Sequence, residues 1–413
     1  MEESSSILLG SRRGERGSCG FEHVMPSHDW HFMCMLVSMK LFACQSCGAQ
    51  LYFENVRCLA CGHELGFIAD TNVLTAIEPN QDSTWRSLAA GHEGILWRKC
   101  VRYANDGVCN WLVRADDAHD LCRSCRMTRT IPDLSLPGHH DAWRRMESAK
   151  RRLIYGLSSL GLPVIDREQD PVGGLVFEFL ADTPQQHAIT GHSDGLITVN
   201  IAEADPVERE RARTNLHESY RTVLAHLRHE SGHHYWDRLV RRGSRIWDVR
   251  GLFGDDRQDY ASSMQRYYDQ GPRADWNNGF VSAYATMHPW EDWAETWAYY
   301  LHMVDAVEIA GNLSLSARAH PSGSGVSPAA MAAPQCTERS IDELLAAWVP
   351  LTFATNCLTR AIGHQDWFPF ELSAGAIAKL RLVHAVIADA RASSSAACSA
   401  TTSATSSAMV QAS

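Results

Sequence analysis

Eight of the 13 cysteines in this chain of 413 residues fall between residues 44 and 125, and no other feature limits the fold as tightly. In "CQSCGAQLYFENVRCLACG" the spacing is Cys44-x2-Cys47, ten residues, then Cys58-x2-Cys61. A CxxC turn aims two thiolates at one point, and two such knuckles complete a tetrahedral four-cysteine zinc site. Gly48 and Gly62 each follow the second cysteine of a knuckle, where the chain must turn tightly. A second set follows: Cys100, Cys109, Cys122 and Cys125, of which only the last pair has CxxC spacing. It reads as a second zinc site; the competing reading is a structural or redox pair beside two buried thiols. Four protein ligands close such a site, so it stabilises a fold and leaves no position for substrate. The odd total and the uneven placement do not suit a secreted disulfide framework. They point to metal binding in a reducing compartment, and hence to a cytoplasmic protein.

An apolar fraction of 45% and a charged fraction of 21% are ordinary for a globular protein. The net charge of −10 argues against broad, non-specific nucleic-acid binding and leaves local basic patches open. The longest apolar run, near His31 to Cys44, is interrupted by Ser38 and Lys40. It is too short to span a membrane and makes a poor signal peptide, so no membrane partner is expected.

Residues 1–38 are polar and irregular and read as a disordered extension; Met39 would fit as a start. Residues 39–130 form the Cys-rich module, and 141–392 the main domain. Within it, 141–161 has helical periodicity, 173–180 and 194–201 read as strands, and helical patterns cover about 206–241, 256–269 and 289–309. The Ser/Ala/Pro/Gly-rich stretch 311–336 reads as a low-complexity loop, and the Ser/Ala-rich tail 393–413 as disordered.

The chemistry concentrates in "LRHESGHHYW" (227–236), where His229-Glu230-Ser231-Gly232-His233 is an HExxH. Residues four apart share a helix face, so both imidazoles can meet one metal ion, with Glu230 placed to take a proton from metal-bound water. Zinc lowers the pKa of that water to about 7. Val223, Leu224, Leu227, Trp236 and Leu239 surround the motif at helical spacing, so the helix should be packed. Gly232 inside it costs about 1 kcal/mol relative to alanine and would let another segment come close. His234, turned about 100° from His233, reads as a bystander.

A third protein ligand is needed. The metzincin extension fails, because Trp236 and Leu239 stand where a glycine and a histidine would be required. In "HPWEDWAETWAYYLHM", Glu291 and Glu295 lie on one helix face. One carboxylate can bind the metal and the other can hold a ligand imidazole. The alternative is a solvated acidic first turn.

The HExxH followed some sixty residues later by ExxxE is similar to the gluzincin arrangement. That resemblance, and a likeness to lethal-factor-like peptidases, implies that Glu291 is the ligand and Glu295 its support. It also implies a tyrosine two turns before the ligand, facing the oxyanion; Tyr284 stands seven before Glu291. More broadly, "MKLFACQSCG", "CNWLVRADDAHDLCRSCR", "RTIPDLSLPGHHDAWRRMESAKRRLIYGLSSLGLP", "LRHESGHHYW", "HPWEDWAETWAYYLH" and "FPFELSAGAIAKLRLVH" occur in order. Together they resemble a bacterial family of zinc-binding metallopeptidases with an N-terminal zinc-ribbon region. The expected fold is α+β, a zincin-like metallopeptidase domain behind a small Cys-rich zinc-ribbon module. "GLITVNI" would be the edge strand that pairs with an extended peptide. The expected cofactors are one catalytic and one or two structural zinc ions, with a peptide or protein as substrate. Two rivals remain. One is a nucleic-acid- or protein-binding zinc ribbon with an inactive zincin-like domain. The other is a zinc-dependent amidase or hydrolase of a small substrate.

Overall fold

The computed structural model describes residues 41–185, 187–215, 222–315, 339–368 and 372–410. The expected extension 1–38 and residues 316–336 of the expected loop lie outside them. The described chain opens with a two-stranded hairpin, β1 (Phe42–Ala43) and β2 (Gln50–Leu51), with Cys44 and Cys47 in its loop. Gly48 and Gly62 close the two knuckles at φ +73° and +80°, donating to the carbonyls of Cys44 and Cys58 at 2.8 and 2.9 Å. Only glycine takes that backbone conformation without cost.

Five antiparallel strands follow in sequential order: β3 (Glu64–Ile68), β4 (Val73–Pro79), β5 (Trp85–Ser87), β6 (Leu96–Lys99) and β7 (Leu112–Arg114). The sequence reading assigns no strands to this stretch, because the apolar alternation is short and the thiol spacing dominates. Two single-turn helices, α1 (Val101–Ala104) and α2 (Arg123–Arg126), carry the flanks of the second cysteine set.

A second, four-stranded sheet has the order β10-β11-β9-β8, made from β8 (Thr128–Thr130), β9 (Val176–Leu180), β10 (Gly191–Ser193) and β11 (Leu196–Asn200). Strands β8, β9 and β11 run parallel and β10 is antiparallel. Two sequence expectations change here. "GLITVNI" is β11, paired on both sides, so the edge position falls to β10. A boundary at residue 130 also falls just after β8, which pairs with β9 of the main domain.

The buried core is likewise continuous. Phe42, Phe53 and Phe67 of the Cys-rich module meet Tyr155 with ring centroids 6.3, 5.0 and 5.7 Å apart. Tyr155 lies on α3 (His139–Ser159), the helix expected at 141–161.

The expected long helix at 206–241 resolves into α4 (Pro206–Asn215) and α5 (Val223–Tyr235), the latter ending in a π turn over Trp236–Val240; residues 216–221 lie outside the described chain. Thr222 starts α5 by accepting a hydrogen bond from the Ala225 amide. Next come α6 (Ile246–Phe253), which periodicity did not single out, α7 (Tyr260–Gln270) and α8 (Pro289–Asn312). The described chain closes with α9 (Ile341–Ala361) and α10 (Ala374–Val410). Helix α10 runs on to Val410, into the tail expected to be disordered, of which 411–413 lie outside the described chain; its many alanines are the strongest helix formers. No described helix is long and apolar enough to cross a membrane.

The packing of α5 on α8 positions everything that follows. A Cβ at Gly232 would lie 2.9 Å from the Ala294 Cα and 3.2 Å from Trp297 Cδ1. Trp293 donates its indole N–H to the Gly232 carbonyl at 3.0 Å, and Trp297 to Ser231 Oγ at 3.1 Å. The small residue inside the HExxH thus does admit a second helix.

Candidate metal centre

The close approach of α5 and α8 sets His229 and His233 against Glu291. Their ligand atoms lie within 4.8 Å of one another, all on buried residues. His229 Nε2 is 3.0 Å from Glu291 Oε2 and 3.2 Å from His233 Nε2; His233 Nε2 is 3.5 Å from Glu291 Oε1. The other imidazole nitrogen of His229, Nδ1, lies 2.6 Å from Glu295 Oε1. An ionised carboxylate can only accept, so Nδ1 carries the proton and Nε2 presents a lone pair. Glu295 is itself held by the Ser282 hydroxyl, which donates to Oε2 at 2.6 Å. Glu291 Oε2 and His233 Nδ1 are buried without a hydrogen-bond partner among the described residues. Acceptors crowded like this in a buried site repel unless positive charge sits among them. Two imidazole nitrogens and a carboxylate oxygen are a donor set that suits zinc, and three protein ligands leave a position open.

Burial works against a charged Glu291, but positive charge between it and the His233 and His229 imidazoles, whether a proton or a metal ion, holds its carboxyl well below the usual range. Glu230 is treated similarly: burial opposes ionisation, and the hydrogen bond from His226 together with positive charge at His229, His226 and His233 outweighs it and lowers the pKa. Oε1 of Glu230 lies 3.2 Å from His226 Nε2, while Oε2 is buried with no partner among the described residues. His226 Nδ1 in turn faces Glu203 Oε2 at 2.6 Å, and Glu203 Oε1 accepts from the Thr190 hydroxyl at 2.7 Å. A carboxylate–imidazole–carboxylate chain therefore runs from the residue preceding β10 to Glu230. Sequence reasoning missed His226, although its spacing of four before Glu230 puts it on the same helix face. It also missed Glu203, Ser282 and Tyr260, whose hydroxyl donates to Glu291 Oε1 at 2.9 Å. Nothing local in the sequence marks those three.

Tyr284 stands in a short turn before α8, with its ring centroid 6.1 Å from that of His229. Burial pushes its hydroxyl pKa up, and Glu291 adds to the shift. His234 stays outside the cluster; burial holds its imidazole down at about 3, so it is neutral. All these groups except His234 line one cleft of about 1110 Å³. Its lining includes the Ile189–His192 segment leading into β10, and Tyr260, Tyr268, Trp276 and Tyr284. Strand β10 has β11 on one side and no strand of the described chain on the other.

The cysteines converge as two further groups. Cys44, Cys47, Cys58 and Cys61 form one, with Cys47 and Cys61 exposed, and Cys100, Cys109, Cys122 and Cys125 form the other, fully buried. In the second, backbone amides of Cys122, Trp111 and Cys125 point at the sulfurs of Cys100, Cys109 and Cys122 at 3.3, 3.3 and 3.5 Å. Such donors favour thiolates, the form that binds metal.

Two four-cysteine clusters ahead of a paired imidazole and carboxylate set are the donor groups of a zinc-binding protein. Residues 139–386 match the family described as "putative zinc-binding metallo-peptidase", and 41–136 match a zinc-ribbon domain. The chain belongs to that metallopeptidase family. It is 38% identical over 352 residues to uncharacterized proteins of Mycobacterium tuberculosis and Mycobacterium bovis, an alignment covering 84% of this chain and 95% of theirs. No solved structure matches it.

Proposed function

We propose that the chain is a zinc-dependent peptidase in which His229, His233 and Glu291 hold the metal and Glu230 handles protons. One observation carries the reading: the buried Oε2 of Glu230, without a partner among the described residues, shares one cleft with the three-donor cluster and with β10, whose outer edge no described strand covers. A purely structural metal site has no use for such an acid. Zinc bound there would supply Lewis acidity and a water activated at neutral pH. Glu230, ionised and tethered through Oε1 to His226, has Oε2 available to take the proton of the attacking water and return it to the leaving amine. Glu295 and Ser282 fix the His229 tautomer that leaves Nε2 free. The Tyr284 hydroxyl, kept protonated by burial, is the donor for negative charge developing on the carbonyl oxygen.

The substrate is a peptide lying along β10, because an unpaired strand edge offers alternating N–H and C=O groups to an extended backbone. A small-molecule amidase would have no need of that edge. The eight clustered cysteines would bind two structural zinc ions in a reducing, cytoplasmic setting, and the ribbon remains a candidate surface for a protein or nucleic-acid partner.

Glu230→Gln tests the central assignment. Zinc content should be unchanged while hydrolysis of a broad peptide library falls about 10²–10⁴-fold. Equal cleavage by wild type and variant would refute the role of Glu230.

A further inference from the structure

We infer that Tyr260 is a positioning residue for Glu291: its hydroxyl fixes one carboxylate oxygen, Oε1, and so reserves the other, Oε2, for a metal held with His229 and His233. The inference rests on reading that cluster as a zinc site.

Tyr260 is the first residue of α7, whose start is fixed by Asp259 accepting from the Ser262 amide at 2.8 Å. The start of α8 is capped by His288, whose Nδ1 accepts from the Trp290 amide at 3.1 Å. The proton of that imidazole is therefore on Nε2, which donates to the Gln258 carbonyl at 3.1 Å. One side chain thus ties the beginnings of α7 and α8 together. The Tyr260 ring is held edge-on to His288 and Trp290, with centroids 5.3 and 5.8 Å away. Trp290 in turn lies against His233 at 3.8 Å. The tyrosine cannot swing freely, and its hydroxyl is delivered to Glu291 Oε1 at 2.9 Å.

Glu291 is only 2% exposed, so water does not compete for that oxygen. A carboxylate torsion is otherwise broad and nearly two-fold, and would leave the two oxygens interchangeable. With Oε1 held, Oε2 stays without a hydrogen bond, 3.0 Å from His229 Nε2. Outer partners of this kind change metal affinity by about 10–100-fold when removed.

The test uses the full-length protein and zinc alone. Glu291→Ala identifies which zinc equivalent belongs to this site. Against a graded chelator, Tyr260→Phe, which keeps the ring and loses only the hydroxyl, should release that equivalent at least about 10-fold more readily than wild type. The zinc bound by the cysteines should be unaffected, and the metal-free melting temperature nearly unchanged. Tyr268→Phe removes another hydroxyl lining the cleft and should keep wild-type zinc affinity. Retention by Tyr260→Phe within two-fold of wild type, or equal loss in Tyr268→Phe, overturns the assignment. If Glu291→Ala removes no zinc at all, the zinc-site reading falls and the role of Tyr260 with it.

Discussion

Gly232→Ala puts the packing at the centre of the molecule to a quantitative test. On an isolated helix the change is favourable by about 1 kcal/mol. Here the new methyl would sit 2.9 Å from the Ala294 Cα, 3.3 Å from its Cβ and 3.2 Å from Trp297 Cδ1. Carbon atoms prefer roughly 3.5–4.0 Å, and the nearest of these is backbone that no rotamer change can move aside. Overpacking of this kind costs about 1–3 kcal/mol, which leaves a net loss of roughly 0–2 kcal/mol after the helix gain. The metal site should suffer more than the fold. Helix α5 carries His229 and His233 and α8 carries Glu291, so any parting of the helices widens the ligand triangle. Ligand distances tolerate only about 0.2 Å. Thermal melting of metal-free protein and zinc retention against a chelator would be measured side by side. The expected outcome is a melting temperature equal to or a few degrees below wild type, with a clear loss of zinc affinity at this site. A variant that melts higher and holds zinc as well as wild type would show that α5 and α8 do not meet at this point.

Two further outcomes follow from the same geometry. Glu291→Ala should abolish zinc binding at the cluster, whereas Glu295→Ala, which only frees His229 Nδ1, should weaken it by about 10–100-fold; the reverse order in a zinc titration would invert the two roles. Burial pulls the His226 imidazole down, but Glu203 and Glu230 more than offset this and push it up to about 9. That lies above the roughly 6.5 of an unfolded chain, so the stabilisation is complete below about pH 6.5 and fades as pH rises through 9. Urea midpoints of the metal-free protein should fall across that window, and His226→Gln should flatten the fall; parallel curves would discount the buried charge.

How legible the molecule was from its sequence depended on how local each signal is. The HExxH, the ExxxE and the CxxC knuckles each lie within one turn or one helix face, and their spacing alone groups them as the structure does. Cys100 and Cys109 carry no such spacing, and only the fold brings them to Cys122 and Cys125. Glu203 reaches His226 across 23 positions, and Tyr260 reaches Glu291 across 31. Such long-range partners leave no periodic trace. The edge strand was misplaced for a related reason. "GLITVNI" has the stronger β pattern, but strand order is a pairing property, and the weak triplet Gly191–Ser193 takes the outer position.

Strand β8 has a practical consequence for anyone cutting the chain. The ribbon match ends at 136 and the peptidase match begins at 139, which invites expression of the second part alone. A fragment starting at His139 would leave β8 behind, and with it the partner that pairs with β9 along Thr128–Thr130. Strand β9, "VFEFL", would become a raw margin with open amides and carbonyls and a phenylalanine-rich face. Exposed hydrophobic margins of that kind recruit further copies strand to strand. Such a fragment should come out of the cell as aggregates even if His229, His233 and Glu291 are all intact, and the smallest piece worth purifying begins well upstream of the family boundary.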